Sequence, residues 1–279
     1  MISTPIGYMP LATYPEAVTD SAILAAVSFA GPLGLALHVT IFTVDIPQLT
    51  SPLGSILIDI PGLVRTAEER SRAEAKRLLE MIEKNTARLE SVDIAHREVV
   101  LGAAFDAAST EARYFDLALL PWSGETLLAK EMAEAVVFGS GRPAIIVPAS
   151  AKPAPLNHIA IAWDGSRVAA RALGDALPML AKDGRISVLT VKDEKPLRSH
   201  DLAASLASQL VKRGYKSEAV EVKLGERKIA DALQDAAISA GANVLAMGGF
   251  GYSRLRDFVL GGATEGILYD LRLPALLSH

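Results

Sequence analysis

The feature that most constrains this chain is a set of short apolar runs, each closed by a turn and followed by a stretch of helical periodicity. Residues 159–163, Ile-Ala-Ile-Ala-Trp, end at Asp164-Gly165-Ser166 and read as a buried strand. A helical pattern spans Val168 to Leu180 and stops near Asp183-Gly184. Ile186 to Val191 is rich in β-branched residues and reads as a second strand. His200 to Lys212 is helical, with Leu202, Leu206 and Leu210 on one face and Gly214 beyond its end. Ala219 to Leu224 alternates as a third strand, and Ile229 to Ala240 is helical. Val244 to Met247 is a fourth strand that enters Gly248-Gly249-Phe250-Gly251. A helix from about Ala263 to Tyr269 leads to a fifth strand at Pro274 to Leu277. Apolar strands alternating with helices predict a parallel sheet covered on both faces, with right-handed crossovers.

The first half repeats this order. Val39 to Val44 matches the second strand, Ala95 to Leu101 the third, and Leu117 to Leu120 the fourth. Thr66 to Leu89 and Phe105 to Tyr114 read as helices, and Pro143 to Val147 matches the last strand. The 279 residues suit two domains at about 150 residues each. Pro148 to Pro155, with three prolines, is the expected boundary, giving domains 1–150 and 151–279. The expected fold is therefore α/β: two tandem doubly wound domains, each a five-stranded parallel sheet flanked by helices.

Charge and composition narrow the function. With 28 Lys and Arg against 32 Asp and Glu, the chain is too balanced for a general nucleic-acid binder. Residues 1–150 carry net −7 and residues 151–279 net +3, so the second half is the better host for an anion. The absence of cysteine removes disulfides, thiol nucleophiles and thiolate metal sites, and fits a reducing compartment. Five scattered histidines form no paired metal pattern. The start, MISTPIGYMP, has no basic region of the signal-peptide kind. Ala22 to Val44 is long and nearly uncharged, but Gly31-Pro32-Leu33-Gly34 divides it, so a buried helix followed by a buried strand is expected and no membrane partner.

The informative segment is Gly248-x-x-Gly251, nine residues, then Gly261-Gly262-Ala263-Thr264. It leaves the carboxyl end of a strand and enters a helix. In an open α/β sheet, ligands sit at that edge, near the switch in winding direction. Glycines there let backbone approach a phosphate, and the first-turn N–H groups of Gly262, Ala263 and Thr264 are expected as donors reinforced by the helix dipole. Each dipole contact contributes only about 0.3–1 kcal/mol at a surface, so several must converge. Ser253, Arg254 and Arg256 lie in the intervening loop, where the arginines read either as phosphate ligands or as solvated charges. Asp164 ends the first strand of the same half. It reads as an acceptor for a ribose hydroxyl or adenine amino group, as a carboxylate for hydrated Mg²⁺, or simply as a helix cap. Val191 and Met247 are candidate base contacts at strand ends, and both also suit a core. A Walker loop, a strand-linked Gly-x-Gly-x-x-Gly and a Gly-x-Ser-x-Gly elbow are all absent.

Asp164-Gly165-Ser166 and Met247-Gly248-x-x-Gly251-x9-Gly261 together resemble the nucleotide-binding signature of the universal stress protein family. Nearly the whole chain is similar to a tandem pair of such domains. The resemblance implies ATP, with or without Mg²⁺, held between Asp164, Val191, the Gly248–Gly251 turn and the Gly261 loop. The family places Ser or Thr after the last glycine, where this chain has Gly262; Thr264 is the nearest substitute. The first half departs further. Its fourth strand runs into Pro121-Trp122-Ser123-Gly124, and no carboxylate stands at Thr13-Tyr14-Pro15, so it reads as a degenerate copy. Single-domain members pair as dimers; a tandem chain resembles such a dimer fused, which leaves a further homodimer open. The resemblance implies a cytoplasmic, regulatory role in stress. No residue stands as a general base, so ATP hydrolysis is expected to be slow at most. A ligand-free scaffold and an adenylating enzyme remain the alternatives, although Asp164-Gly165-Ser166 falls short of an adenylating Ser-Gly-Gly-x-Asp-Ser loop.

Overall fold

A computed structural model describes residues 4–47, 59–86, 89, 91–124, 126–192, 201–249 and 262–279. The N-terminal half runs β1 (Ile6–Ala12), α1 (Asp20–Ala30), β2 (Ala36–Asp45), α2 (Ile60–Asn85), β3 (Val92–Val100), α3 (Ala104–Ala112), β4 (Leu117–Trp122), α4 (Leu127–Gly139) and β5 (Ala144–Pro148). The C-terminal half runs β6 (His158–Ala162), α5 (Arg167–Ala176), β7 (Arg185–Lys192), α6 (Leu202–Lys212), β8 (Lys216–Lys223), α7 (Ile229–Ala240), β9 (Val244–Gly248), α8 (Gly262–Tyr269) and β10 (Ala275–Ser278).

The strands form one ten-stranded sheet in the order β3-β2-β1-β4-β5-β10-β9-β6-β7-β8. Each half contributes five parallel strands wound in the same order. The halves meet where β5 and β10 pair antiparallel, with Ile146 opposite Ala275 and Ala144 opposite Leu277. The two sheets expected from the sequence are thus one sheet with a central change of polarity.

Side-chain alternation sends neighbouring residues to opposite faces. Ile145, Ile159, Ile161 and Leu276 join one core under α1, α2, α5 and α6. Ala144, Ile146, Ala160 and Leu277 join the other under α3, α4, α7 and α8. Both cores cross the junction between halves. The outermost strands, β3 and β8, are largely exposed and carry Asp93, Arg97 and Glu98, or Lys216, Glu218 and Lys223. Such charges discourage edge-to-edge association.

Several boundaries differ from the sequence reading for identifiable reasons. Helix α2 starts six residues earlier than Thr66, because Asp59 caps it by accepting from Gly62 N–H at 2.9 Å and Pro61 fits the first turn. Helix α5 gives way at Pro178 to a 3₁₀ turn, Leu177–Met179, rather than continuing to Leu180. Strand β1 contains Pro5-adjacent Ile6 and Pro10, a composition that hides it from a strand reading. The apolar stretch from Ala22 to Val44 is a buried helix and a buried strand, and among the described residues no helix is long and apolar enough to cross a membrane.

At the amino edge of the C-terminal sheet, three strands share a polar relay. The Ser187 hydroxyl donates to Glu218 at 2.8 Å, so it accepts from His158 Nε2–H, also at 2.8 Å. Burial, and secondly the charge of Arg185, hold the His158 pKa below its usual value near 6.5. The unfolded chain therefore takes up the proton first as pH falls. Stability is retained above about 6.5 and lost as pH drops below it. Melting temperature should fall more steeply between pH 7 and pH 5.5 for the parent than for His158→Gln, which cannot titrate; parallel profiles would contradict this.

Candidate functional site

In each half the winding direction reverses between the first and fourth strands, which is where an open α/β sheet gathers ligands. In the C-terminal half these strands are β6 and β9, paired parallel with Ile161 beside Ala246. That register carries Trp163 and Asp164 off β6 next to Gly248 and Gly249. Trp163 N–H donates to Leu189 O at 2.7 Å, and the Thr190 hydroxyl donates to Trp163 O at 2.8 Å, so the turn is tied to β7. Gly165 has φ +73°, a left-handed conformation that favours glycine.

Asp164 is exposed. Its Oδ1 accepts from Ser166 N–H at 2.8 Å. The helix cap itself is Ser166, whose hydroxyl accepts from Ala169 N–H at 3.2 Å. This resolves the helix-cap alternative: Asp164 closes the turn before α5 and presents its second carboxylate oxygen to solvent. Ser166 and Thr190 were not singled out in the sequence, although Ser two residues ahead of a helical run is a readable cap signal.

The glycines do different work. A Cβ on Gly248 would lie 2.5 Å from Val168 Cγ2 and 2.8 Å from the Val168 carbonyl carbon. Glycine at 248 is required by the approach of β9 to α5. Gly249 N–H is spent on Ser278 O at 2.7 Å, and a Cβ there would crowd Val137 and Phe138 of α4. Gly262 opens α8, and a Cβ on it would meet nothing within 4 Å among the described residues. Ala263 is half-buried, while Thr264 is 1 % exposed, so Gly262 rather than Thr264 is the open position of this turn. Val191 and Met247 are buried in the α3/α4/α7/α8 core at the same sheet edge. The structure thus gathers Asp164, Val191, Met247 and Gly248 at one edge. Gly251, Ser253, Arg254, Arg256 and Gly261 lie outside the described residues. Among the described residues no three His, Asp or Glu side chains gather as a metal site.

The same switch point in the N-terminal half is chemically different. Matching hydrogen bonds align the halves: Ile6 N–H donates to the Asp116 carboxylate as His158 N–H donates to Asn243 Oδ1. Counting from these pairs, Ala12 corresponds to Asp164, and Pro121 and Trp122 to Gly248 and Gly249. The counterpart of the aspartate is therefore alanine, one residue before the Thr13–Pro15 stretch expected to hold it. The Thr13 hydroxyl donates to Phe42 O at 2.9 Å and meets Ser71 Oγ at 2.6 Å, so it is consumed internally. Side chains replace glycine backbone here and leave an apolar cleft.

The C-terminal half thus has a doubly wound α/β architecture, joined to an N-terminal half of the same winding. Comparison with known proteins narrows this class. The universal stress protein family model matches residues 155–279. A universal stress protein of Synechocystis is 28% identical over 235 residues, spanning 79% of this chain and 77% of its own. A universal stress protein structure from Archaeoglobus fulgidus superposes with TM-score 0.68 at 14% identity, covering 97% of both chains. A putative universal stress protein from Pseudomonas aeruginosa gives 0.52 at 14% identity, covering 98% of this chain and 93% of that one. At such identity these two structures establish the fold. The family match thus covers the C-terminal half, and most of the chain is similar to a universal stress protein.

The packing role of Gly248 makes a prediction independent of any ligand. Gly248→Ala should cost about 1–3 kcal/mol of stability, as overpacking against backbone does, read as a lower urea midpoint with unchanged slope. An unchanged midpoint would show that α5 yields freely.

Proposed function

We propose that the C-terminal half binds an adenine nucleotide, ATP foremost, in the crevice between the carboxyl ends of β6 and β9. The observation that carries this reading is the exposed Asp164 carboxylate, with one oxygen tied to Ser166 and the other open, at the switch point beside the glycine end of β9. A carboxylate there accepts from ribose hydroxyls or the adenine amino group. The residues fit the phosphates on a second count. Gly262 starts α8, is exposed and has no described residue within 4 Å of a Cβ built on it, which suits first-turn N–H groups to an anion. Mg²⁺ accompanying ATP would rest chiefly on phosphate oxygens and water, with Asp164 as the acidic side chain at hand. Gly251, Ser253, Arg254 and Gly261 complete the proposed set on sequence grounds.

The role that follows is regulatory: a cytoplasmic, nucleotide-responsive protein of stress tolerance, whose two halves act as an intramolecular pseudo-dimer. No general base stands near the crevice among the described residues, so hydrolysis is slow at most. A nucleic-acid or membrane partner is not part of the proposal. A second reading, a ligand-free scaffold, is favoured by one observation: packing alone accounts for Gly248 and Gly249.

Nucleotide carried through purification separates the two. Denatured protein should release adenine nucleotide to the supernatant, and Asp164→Ala should release at least tenfold less while melting like the parent. Equal amounts from both would displace the site from Asp164. Saturating ATP, at about 100 times Kd, should add about 2.7 kcal/mol of stability; no shift at millimolar ATP favours the scaffold.

Gly262 offers a gain-of-function test. Its surroundings admit a side chain, so Gly262→Ser should fold normally and add a hydroxyl donor for phosphate. A hydrogen bond to a charged group contributes about 1.5–3 kcal/mol. ATP affinity should rise roughly tenfold by calorimetry, with adenosine affinity unchanged. A parallel rise in both would place the hydroxyl away from phosphate.

A further inference from the structure

The switch point of the N-terminal half retains a cleft after losing every feature suited to a nucleotide. It lies between the carboxyl ends of β1 and β4 and the first turns of α3 and α4. Ala12, Val18, Phe105, Trp122 and Met132 form much of its wall, around a cavity of about 80 Å³ that opens to solvent. An apolar wall with a few polar groups is the usual make-up of a small-molecule site. Trp122, at the position of Gly249, is 3 % exposed and lines the cleft.

The polar groups on the wall set the sign of an occupant. Among the described residues no Lys or Arg lines the cleft, and Glu16, on the loop after β1, is the one ionisable lining group. It is exposed and has no hydrogen-bond or ion-pair partner among the described residues. The Thr126 hydroxyl oxygen caps α4, accepting from Ala129 N–H at 3.2 Å, and keeps its own O–H as a neutral donor. The half as a whole carries net −7. An anion entering here would meet an unpaired carboxylate, with the neutral hydroxyls of Ser123 and Thr126 but no cation among the described residues to offset it.

We propose that this cleft is a second ligand site, taking a small organic amine: an apolar body against Trp122, Phe105 and Met132, and a cationic head beside Glu16. The apolar wall supplies affinity, and Glu16 supplies the preference for charge. The site does not depend on nucleotide binding in the other half. What reads in the sequence as a degenerate copy is a copy whose ligand class has changed.

Two probes with the same ring and opposite charge test this on the full chain: 1-naphthylmethylammonium and 1-naphthylacetate. Calorimetric titration should give one saturable site for the cation and about fivefold weaker binding of the anion, the scale of a solvent-facing ion pair. Glu16→Gln should erase the charge preference while leaving a common residual affinity. Ala17→Phe, which fills the mouth from the loop, should abolish binding of both without lowering the melting temperature. If that substitution unfolds the chain, line broadening of probe resonances by the parent, with Trp122→Phe weakening it and Trp163→Phe leaving it intact, serves the same purpose. Non-saturable binding, a preference for the anion, or indifference to both Glu16→Gln and the cleft substitutions would overturn the proposal.

Discussion

The antiparallel pairing of β5 with β10 is the contact on which the molecule depends. Five parallel strands expose an apolar edge strand, and here that edge is β5 in one half and β10 in the other. Both are fully buried along their length. Neither would tolerate water or a foreign strand. Pairing them satisfies both ladders and makes each face of the sheet a single core running through the chain. The linker after Pro148 serves this geometry by letting the second half reverse direction. Contacts beside the junction reinforce it: Lys130 of α4 pairs with Glu265 of α8 at 3.0 Å, and Phe138 meets His279 edge-on at 5.5 Å between ring centroids.

This arrangement explains why Gly249 is locked. Its N–H closes on Ser278 O, the last residue of β10, while its α-carbon faces Val137 and Phe138 of the other half. The glycine turn of the proposed nucleotide site therefore begins on residues that belong to the inter-half junction. Glu134 and Lys130, on the same helix α4, lie close to Glu265 near the start of α8, and burial raises the Glu134 pKa above the usual carboxylate range.

Much of the fold was legible because it rests on patterns that survive alone. Apolar pentads such as Ile159 to Trp163 can only be covered strands, and Gly241, with φ +76°, ends α7 where glycine is expected. Pro10 and Pro121 obscured β1 and the end of β4, since a proline inside a parallel strand contradicts the local rule and is accepted only for tertiary reasons. Helix α4 was not read either, because Leu127 to Gly139 is apolar on too many sides to show a stripe. Joining the sheets into one required knowing which edges meet, and that information is spread over both halves.

The candidate site was legible for a different reason: its signal is spacing, and spacing follows directly from where a strand ends and a helix begins. What spacing could not reveal is how each glycine is used. Gly248 and Gly262 look equivalent in sequence, yet one is pressed against Val168 and the other stands in open space. Nor could it show that losing a motif leaves a cavity behind. Having Trp122 where the other half has Gly249 supplies an apolar wall at the equivalent edge. Two switch points on one sheet can diverge in this way because the shared cores, and not the ligands, hold the halves together. The chain is thus free to keep the exposed carboxylate of Asp164 on one side and to lose it at Ala12 on the other.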